Sequence, residues 1–176
     1  MAMLGLNVDE GTMTCQKLYS LVTDEWSSFL VLDIRPSVHF NKTRMKIDNV
    51  INIPEELLKP GQTAEHIGIE LSQQPRRQWK SLRHKVDFLI ICDLETEGPP
   101  LTQPIKILID AILRWDLGKQ YESRVWILKG GFDIWRRMYP LHTTNKIADE
   151  NTTEGGVVSL GSKSPSSARK CKADEK

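Results

Sequence analysis

Four short apolar runs punctuate this chain, and the segments between them repeat apolar residues at helical spacing. Phe29 to Ile34 is continuous apart from Asp33, the pattern of a parallel strand covered on both faces. Val50 to Ile53 reads as a second short strand, Val86 to Cys92 as the central one, and residues 124–128 as the last. Helices are expected between them. Thr14 can cap one that runs to about Val22, with Leu18, Leu21 and Val22 turned inward. Pro36 ends the first strand, and a short helix over 37–43 follows. Pro54 and Pro60-Gly61 punctuate the next stretch. Thr63 heads a helix bearing Ile67 and Leu71, and Pro75 suits the first position of another that carries Trp79 and Leu82. Pro104 opens an amphipathic helix with Ile105, Leu108, Ile109, Ile112 and Trp115 on one face. A closing helix spans 131–138, with Phe132, Trp135 and Met138 at three-residue spacing.

Strands that alternate with helices imply an α/β domain, a parallel sheet flanked by helices on both faces. The reading divides the chain into a leader over residues 1–11, a domain over 12–145 and a tail or linker over 146–176. From about Asp149 the composition shifts to Gly and Ser before the charged end Arg169 to Lys176, a composition expected to be disordered.

Net charge is +1, so the overall field favours neither nucleic acid nor an anionic membrane. Cys15, Cys92 and Cys171 are an odd, scattered set with no CxxC pair. That argues against a disulfide framework or a zinc site and suits a reducing cytoplasm. His39, His66, His84 and His142 share no metal-ligand spacing, so neither a metal nor a cofactor is expected. The first eleven residues lack the basic and apolar regions of a signal peptide, and no window approaches the roughly 18 apolar residues of a membrane span. A cytoplasmic monomer is expected.

The most specific stretch is Leu128-Lys129-Gly130-Gly131-Phe132-Asp133-Ile134-Trp135. It is a strand, a double-glycine turn that tolerates positive φ, and a helix locked by aromatic residues. Upstream stands Leu30-Val31-Leu32-Asp33-Ile34-Arg35-Pro36, followed by Phe40 and by Val50-Ile51-Asn52-Ile53-Pro54. In that order and spacing the two resemble the rhodanese-like domain over about residues 12–145. The resemblance implies structural roles for Asp33, Arg35, Gly130, Gly131, Phe132 and Trp135. It also implies a catalytic cysteine at the end of the central strand in active members. There a loop rich in N–H donors, with an arginine, stabilises the thiolate and its anionic substrates.

In this chain the strand ends at Cys92, and the next residue, Asp93, is the other candidate for the catalytic position. The loop runs Asp93-Leu94-Glu95-Thr96-Glu97-Gly98-Pro99-Pro100, with three carboxylates and no cation before Lys106. Those charges oppose thiolate formation and anion binding, and the two prolines lack N–H groups. The family often has Gly-His-Ile before the second strand, where this chain has Met45-Lys46-Ile47. The expectation is no catalytic residue. The alternative is a thiol sulfurtransferase or phosphatase-like enzyme using Cys92.

Residues 75–85 carry Arg76, Arg77, Lys80, Arg83 and Lys85 and no carboxylate. They read either as a solvated helix face or as a docking patch for an acidic partner, with Trp79 as its anchor. The alternative patch is Asp93, Glu95 and Glu97. A closer similarity rests on the run Pro54 to Ala64, on Trp79-Lys80 and on Tyr139 to Asn145. These resemble the non-catalytic rhodanese-like domain of UBPY-type ubiquitin carboxyl-terminal hydrolases. That resemblance implies a module that docks a RING-type E3 ubiquitin ligase in receptor trafficking, with an endosomal association. The deubiquitinase catalytic boxes do not occur in these residues.

Overall fold

The computed structural model of the protein describes residues 11–24, 28–116 and 124–144. The five strands are β1 (Thr12–Met13), β2 (Phe29–Asp33), β3 (Val50–Asn52), β4 (Phe88–Cys92) and β5 (Arg124–Leu128). All neighbouring strands are parallel, in the order β1-β5-β4-β2-β3. The expected central strand is therefore in the middle, and β3 and β1 form the edges. Between them run α1 (Cys15–Thr23), α2 (Ser37–Lys42), α3 (Ala64–Glu70), α4 (Gln73–Leu82), α5 (Gln103–Leu113) and α6 (Gly131–Met138). Short 3₁₀ turns occupy Glu55–Leu57 and Pro140–His142.

Alternation along the strands builds two cores. Leu30, Leu32, Leu89 and Ile91 face one side, where they meet Ala64 and Ile67 of α3, Trp79 of α4 and Ile105, Leu108 and Ile112 of α5. Phe29, Val31, Ile90 and Cys92 face the other, against Leu18 and Leu21 of α1 and Phe132 and Trp135 of α6. All five residues of β2 are buried, as a strand covered on both faces must be. Each fully buried Leu, Ile or Phe contributes about 1.5–3 kcal/mol relative to exposure. Helix starts follow their caps: Thr14 accepts from the Lys17 N–H and Thr63 from the His66 N–H, both at 3.2 Å.

Several boundaries differ from the sequence reading. Helix α4 starts at Gln73 behind Ser72, not at Pro75. Proline is tolerated there because the first-turn N–H groups have no intrahelical partner anyway. Strand β4 starts at Phe88, two residues late, because the Asp87 carboxylate turns back to accept from the backbone and hydroxyl of Ser28. Helix α5 ends at Leu113, and Trp115 beyond it is 47% exposed rather than on the buried face. Met138 is 43% exposed. At 3.6 residues per turn the stripe set by Phe132 and Trp135 returns at Tyr139, which packs against the core in its place. Strand β1 occupies the first two residues of the expected domain, where the reading had no strand; its partner β5 is remote in sequence. Residues 1–10 of the leader and the expected tail lie outside the described residues.

The C-terminal end of the domain is tied down by backbone pairing. Met45 bridges Thr143, the Lys46 N–H donates to the His142 carbonyl at 2.8 Å, and the Thr43 hydroxyl donates to the Thr144 carbonyl at 2.6 Å. Trp135 is fully buried, and its indole N–H donates to the His142 carbonyl at 3.2 Å. Trp135→Ala is therefore expected to cost about 3–5 kcal/mol in urea unfolding. A loss under about 1 kcal/mol would mean that the ring does not anchor this core.

Candidate functional site

Beyond the carboxyl ends of β2 and β4 the chain assembles the region where open α/β sheets hold their ligands. Asp33 and Cys92 are register partners at the ends of these two strands. Asp33 has no exposed surface, and Arg35 two residues on is 3% exposed. They form a close pair: Arg35 Nε donates to Asp33 Oδ1 at 3.0 Å and Nη2 to Oδ2 at 2.6 Å. Nη2 also donates to the Thr43 carbonyl at 3.1 Å, and the guanidinium lies 3.6 Å from the centre of the Phe132 ring. The side-chain amide of Asn52 donates to the carbonyls of Asp33 and Arg35, both at 2.8 Å. Arg35 is thus engaged on its edge and on its face, and it braces β2 against α6 and the 43–45 segment.

The loop after β4 closes on itself and on α6. The Asp93 carboxylate accepts the Thr96 N–H at 2.9 Å and the Thr96 hydroxyl. The Asp93 carbonyl accepts from the Phe132 N–H at 2.8 Å, the Leu94 carbonyl from the Asp133 N–H at 2.9 Å, and the Thr96 carbonyl from the Gly130 N–H at 2.8 Å. The N–H groups of Gly130, Phe132 and Asp133 at the start of α6 are therefore closed by loop carbonyls. This approach explains the double glycine. Gly130 and Gly131 both have positive φ, at 76° and 53°. A methyl group on Gly131 would sit 2.6 Å from the Leu94 carbonyl carbon and 2.7 Å from Asp93 O and Glu95 N.

Cys92 is fully buried behind this loop. Burial pushes its thiol well above the usual range, and the charges of Asp33 and Asp93 push it further against the opposing effect of Arg35. Cys15 of α1 is also buried, and its Sγ lies 3.8 Å from the Lys129 carbonyl. Burial, with the Glu97 charge in second place, pushes its thiol up to about 11. The Asp33 carboxyl is raised by its burial, with Arg35 acting in the opposite direction. Glu95 and Glu97 are exposed, and Asp93 is half-buried. The described region therefore combines protonated thiols, carboxylates and an engaged arginine, a set that disfavours anions.

Arg76, Arg77, Lys80 and Lys85 of the cationic stretch are exposed, and Arg83 departs from that face. Arg83 is 1% exposed, and its guanidinium lies 3.2 Å from Asp116, 3.5 Å from Glu65 and 5.3 Å from the centre of the Trp79 ring. Trp79 is equally buried, and its indole N–H donates to the Ala64 carbonyl at 2.9 Å. Trp79 therefore anchors the core between α3 and α4 rather than a partner. Arg76 is exposed, but it reaches back to the C-terminus of α3 and donates to the Leu71 carbonyl at 2.8 Å and to the Ile69 carbonyl. Arg77 and Lys80 remain as exposed cations of α4 from the expected patch. Thr96 and Asn52 were missed by the sequence reading. An Asp followed three residues later by Thr is a turn signal that could have revealed the first. Among the described residues no group of His, Cys, Asp or Glu has the arrangement of a metal site, and no helix is long and apolar enough to cross a membrane.

A parallel five-stranded sheet with helices on both faces, a short Asp-x-Arg brace and a loop beyond the central strand define an α/β domain of the rhodanese type. The family model of the rhodanese-like domain matches residues 14–138, and the chain belongs to that family. A yeast protein tyrosine phosphatase of the rhodanese family shares the fold with a TM-score of 0.54, at 17% identity over 79% of this chain and 94% of that one. An As-Sb reductase from Leishmania major superposes with a TM-score of 0.50, at 16% identity over 81% of this chain and 97% of that one.

Gly131→Ala is expected to lower stability by at least about 1–3 kcal/mol, the cost of a residue held in strained backbone, with the loop contact adding to it. A neutral effect in urea unfolding would show that the loop does not rest on α6. The Cys15 thiol gives a pH test. Its folded value lies above the ordinary 9.0, so the unfolded chain loses the proton first. The stability Cys15 contributes is whole below about pH 9 and is lost as pH rises towards about 11. Wild type should therefore lose stability more steeply over that window than Cys15→Ala, and equal slopes would contradict the assignment.

Proposed function

We propose that this chain is a rhodanese-like protein-interaction module that does not use Cys92 in catalysis. The observation that carries this reading is the closure of the 93–96 loop. Its carbonyls meet the start of α6, its Asp93 carboxylate accepts from Thr96, and Cys92 lies fully buried behind it, where burial disfavours the thiolate. A sulfurtransferase or phosphatase-type site needs N–H donors and a cation around a thiolate; Arg35 is engaged with Asp33, Thr43 and Phe132 instead.

The resemblance to the domain of UBPY-type ubiquitin carboxyl-terminal hydrolases supplies the partner in this reading. The module docks a RING-type E3 ubiquitin ligase in the cytoplasm, with an endosomal association through receptor trafficking. Arg77 and Lys80 on α4 are the cations left to meet an acidic surface on that partner. The second patch is Glu95 and Glu97, beside Leu94, whose side chain is 44% exposed. Charges placed this way orient a partner and speed its approach more than they tighten it.

Two experiments test the reading. A thiosulfate:cyanide sulfurtransferase assay on wild type should give no more product than a no-enzyme control. Activity above it that disappears in Cys92→Ser would establish the thiol enzyme instead. Titration calorimetry against the folded substrate-facing domain of a RING ligase should show binding. Arg77→Glu with Lys80→Glu should weaken it by tenfold or more, about 1.4 kcal/mol. Unchanged affinity would remove α4 from the interface, and a loss in Glu95→Lys with Glu97→Lys would assign the acidic loop instead.

A further inference from the structure

Among the described residues the sheet ends at β3, and the outer edge of that strand opens into a groove. In a parallel pair, alternate residues turn their backbone groups toward the partner strand. Val31 donates to the Asn49 carbonyl at 2.8 Å and Ile53 to the Asp33 carbonyl at 2.9 Å, so Ile51 between them also faces β2. The N–H and C=O groups of Val50 and Asn52 therefore point away from the sheet. They meet a cleft of about 580 Å³. One wall is α2 with Phe40 and Asn41, continued by Arg44; the other is α4 with Gln74, Pro75 and Gln78. An exposed strand edge is a template for another strand, and proteins commonly blunt or cover such edges. Here the two helices stand on either side of the edge, leaving a slot.

We infer that this slot accepts an extended acidic segment of a protein partner, which adds to the sheet beside β3. The inference rests on the docking-module reading and supplies its main-chain component. The alternating donors and acceptors of Val50 and Asn52 call for another polypeptide backbone in extended form, since that repeat is what a strand presents. The charges select an acidic sequence. Glu70 on the rim is already 4.0 Å from Lys59 and accepts from Gln62. Arg44 lies over the Phe40 ring at 5.6 Å on the same wall, and it is the cation there that a carboxylate of the segment would meet. Phe40 and Pro75 offer one apolar contact on each wall, suited to the alternate side chains of a strand.

The probe is a phage-displayed library of random twelve-residue peptides, selected on the full chain, with the winners synthesised. Val50→Pro removes one outward N–H at the first position of an edge strand, where proline is tolerated; Val50→Thr is its side-chain control. Selected peptides are expected to carry Asp or Glu, to bind Val50→Thr like wild type and to bind Val50→Pro and Arg44→Glu at least tenfold more weakly. Amide hydrogen exchange of Val50 and Asn52 should slow on adding peptide, a response that a site built only from side chains would not produce. That readout and Arg44→Glu hold even where Val50→Pro lowers the melting temperature. The inference is overturned if no peptide is enriched over bare support, if winners bind both variants unchanged, or if exchange at Val50 and Asn52 does not respond. Slowing that depends on protein concentration without peptide would assign the edge to a second copy of the chain. Sulfurtransferase activity would overturn the docking-module reading while leaving the exchange result to be judged by itself.

Discussion

The carbonyls of Asp93, Leu94 and Thr96 close the N-terminus of α6, and the rest of the carboxyl end of the sheet is arranged around that contact. A helix start carries unpaired N–H groups and partial positive charge. In an anion-binding site those donors face the ligand. Here they face the protein's own loop, which can approach because Gly131 offers no Cβ. The contact holds Phe132 in place, Phe132 supports the Arg35 guanidinium, and Arg35 pairs with Asp33 at the end of β2. Loop, helix and central strands are thus one connected unit.

Charge burial makes that unit sensitive to its partners. Moving Asp33 and Arg35 out of water costs several kcal/mol for each ion, offset by close geometry and by added hydrogen bonds from Asn52 and to Thr43. Losing one member would leave the other buried and unpaired. The same logic applies to Arg83, whose charge is met by Asp116 and Glu65 under the packing of Trp79. A charge-reversal test at Arg83 would therefore report on folding, while Arg77 and Lys80 report on the surface.

Most of the architecture was legible in the residue pattern. Continuous apolar runs marked β2 and β4 because strands covered on both faces have no polar side to show. Thr14, Thr63 and the double glycine marked starts and a turn through local hydrogen bonding and backbone freedom, which neighbouring residues decide. The errors have a common origin. The edge strand β1 has two residues and gains its identity only from β5, far along the chain. Trp79 and Arg83 looked like surface residues because sequence shows charge but not the counter-charges that bury it; Asp116 lies thirty-three positions from Arg83.

The sequence by itself determined the class of fold, the order of its elements and the acidic character of the loop after the central strand. These follow from periodicity, turn chemistry and composition, all of which act over a few residues. Tertiary structure decided which donors that loop would meet, which arginines would be buried and which strands would form the edges of the described sheet. Those outcomes depend on contacts between remote segments, where burial converts a modest charge or an unpaired N–H into a strong constraint.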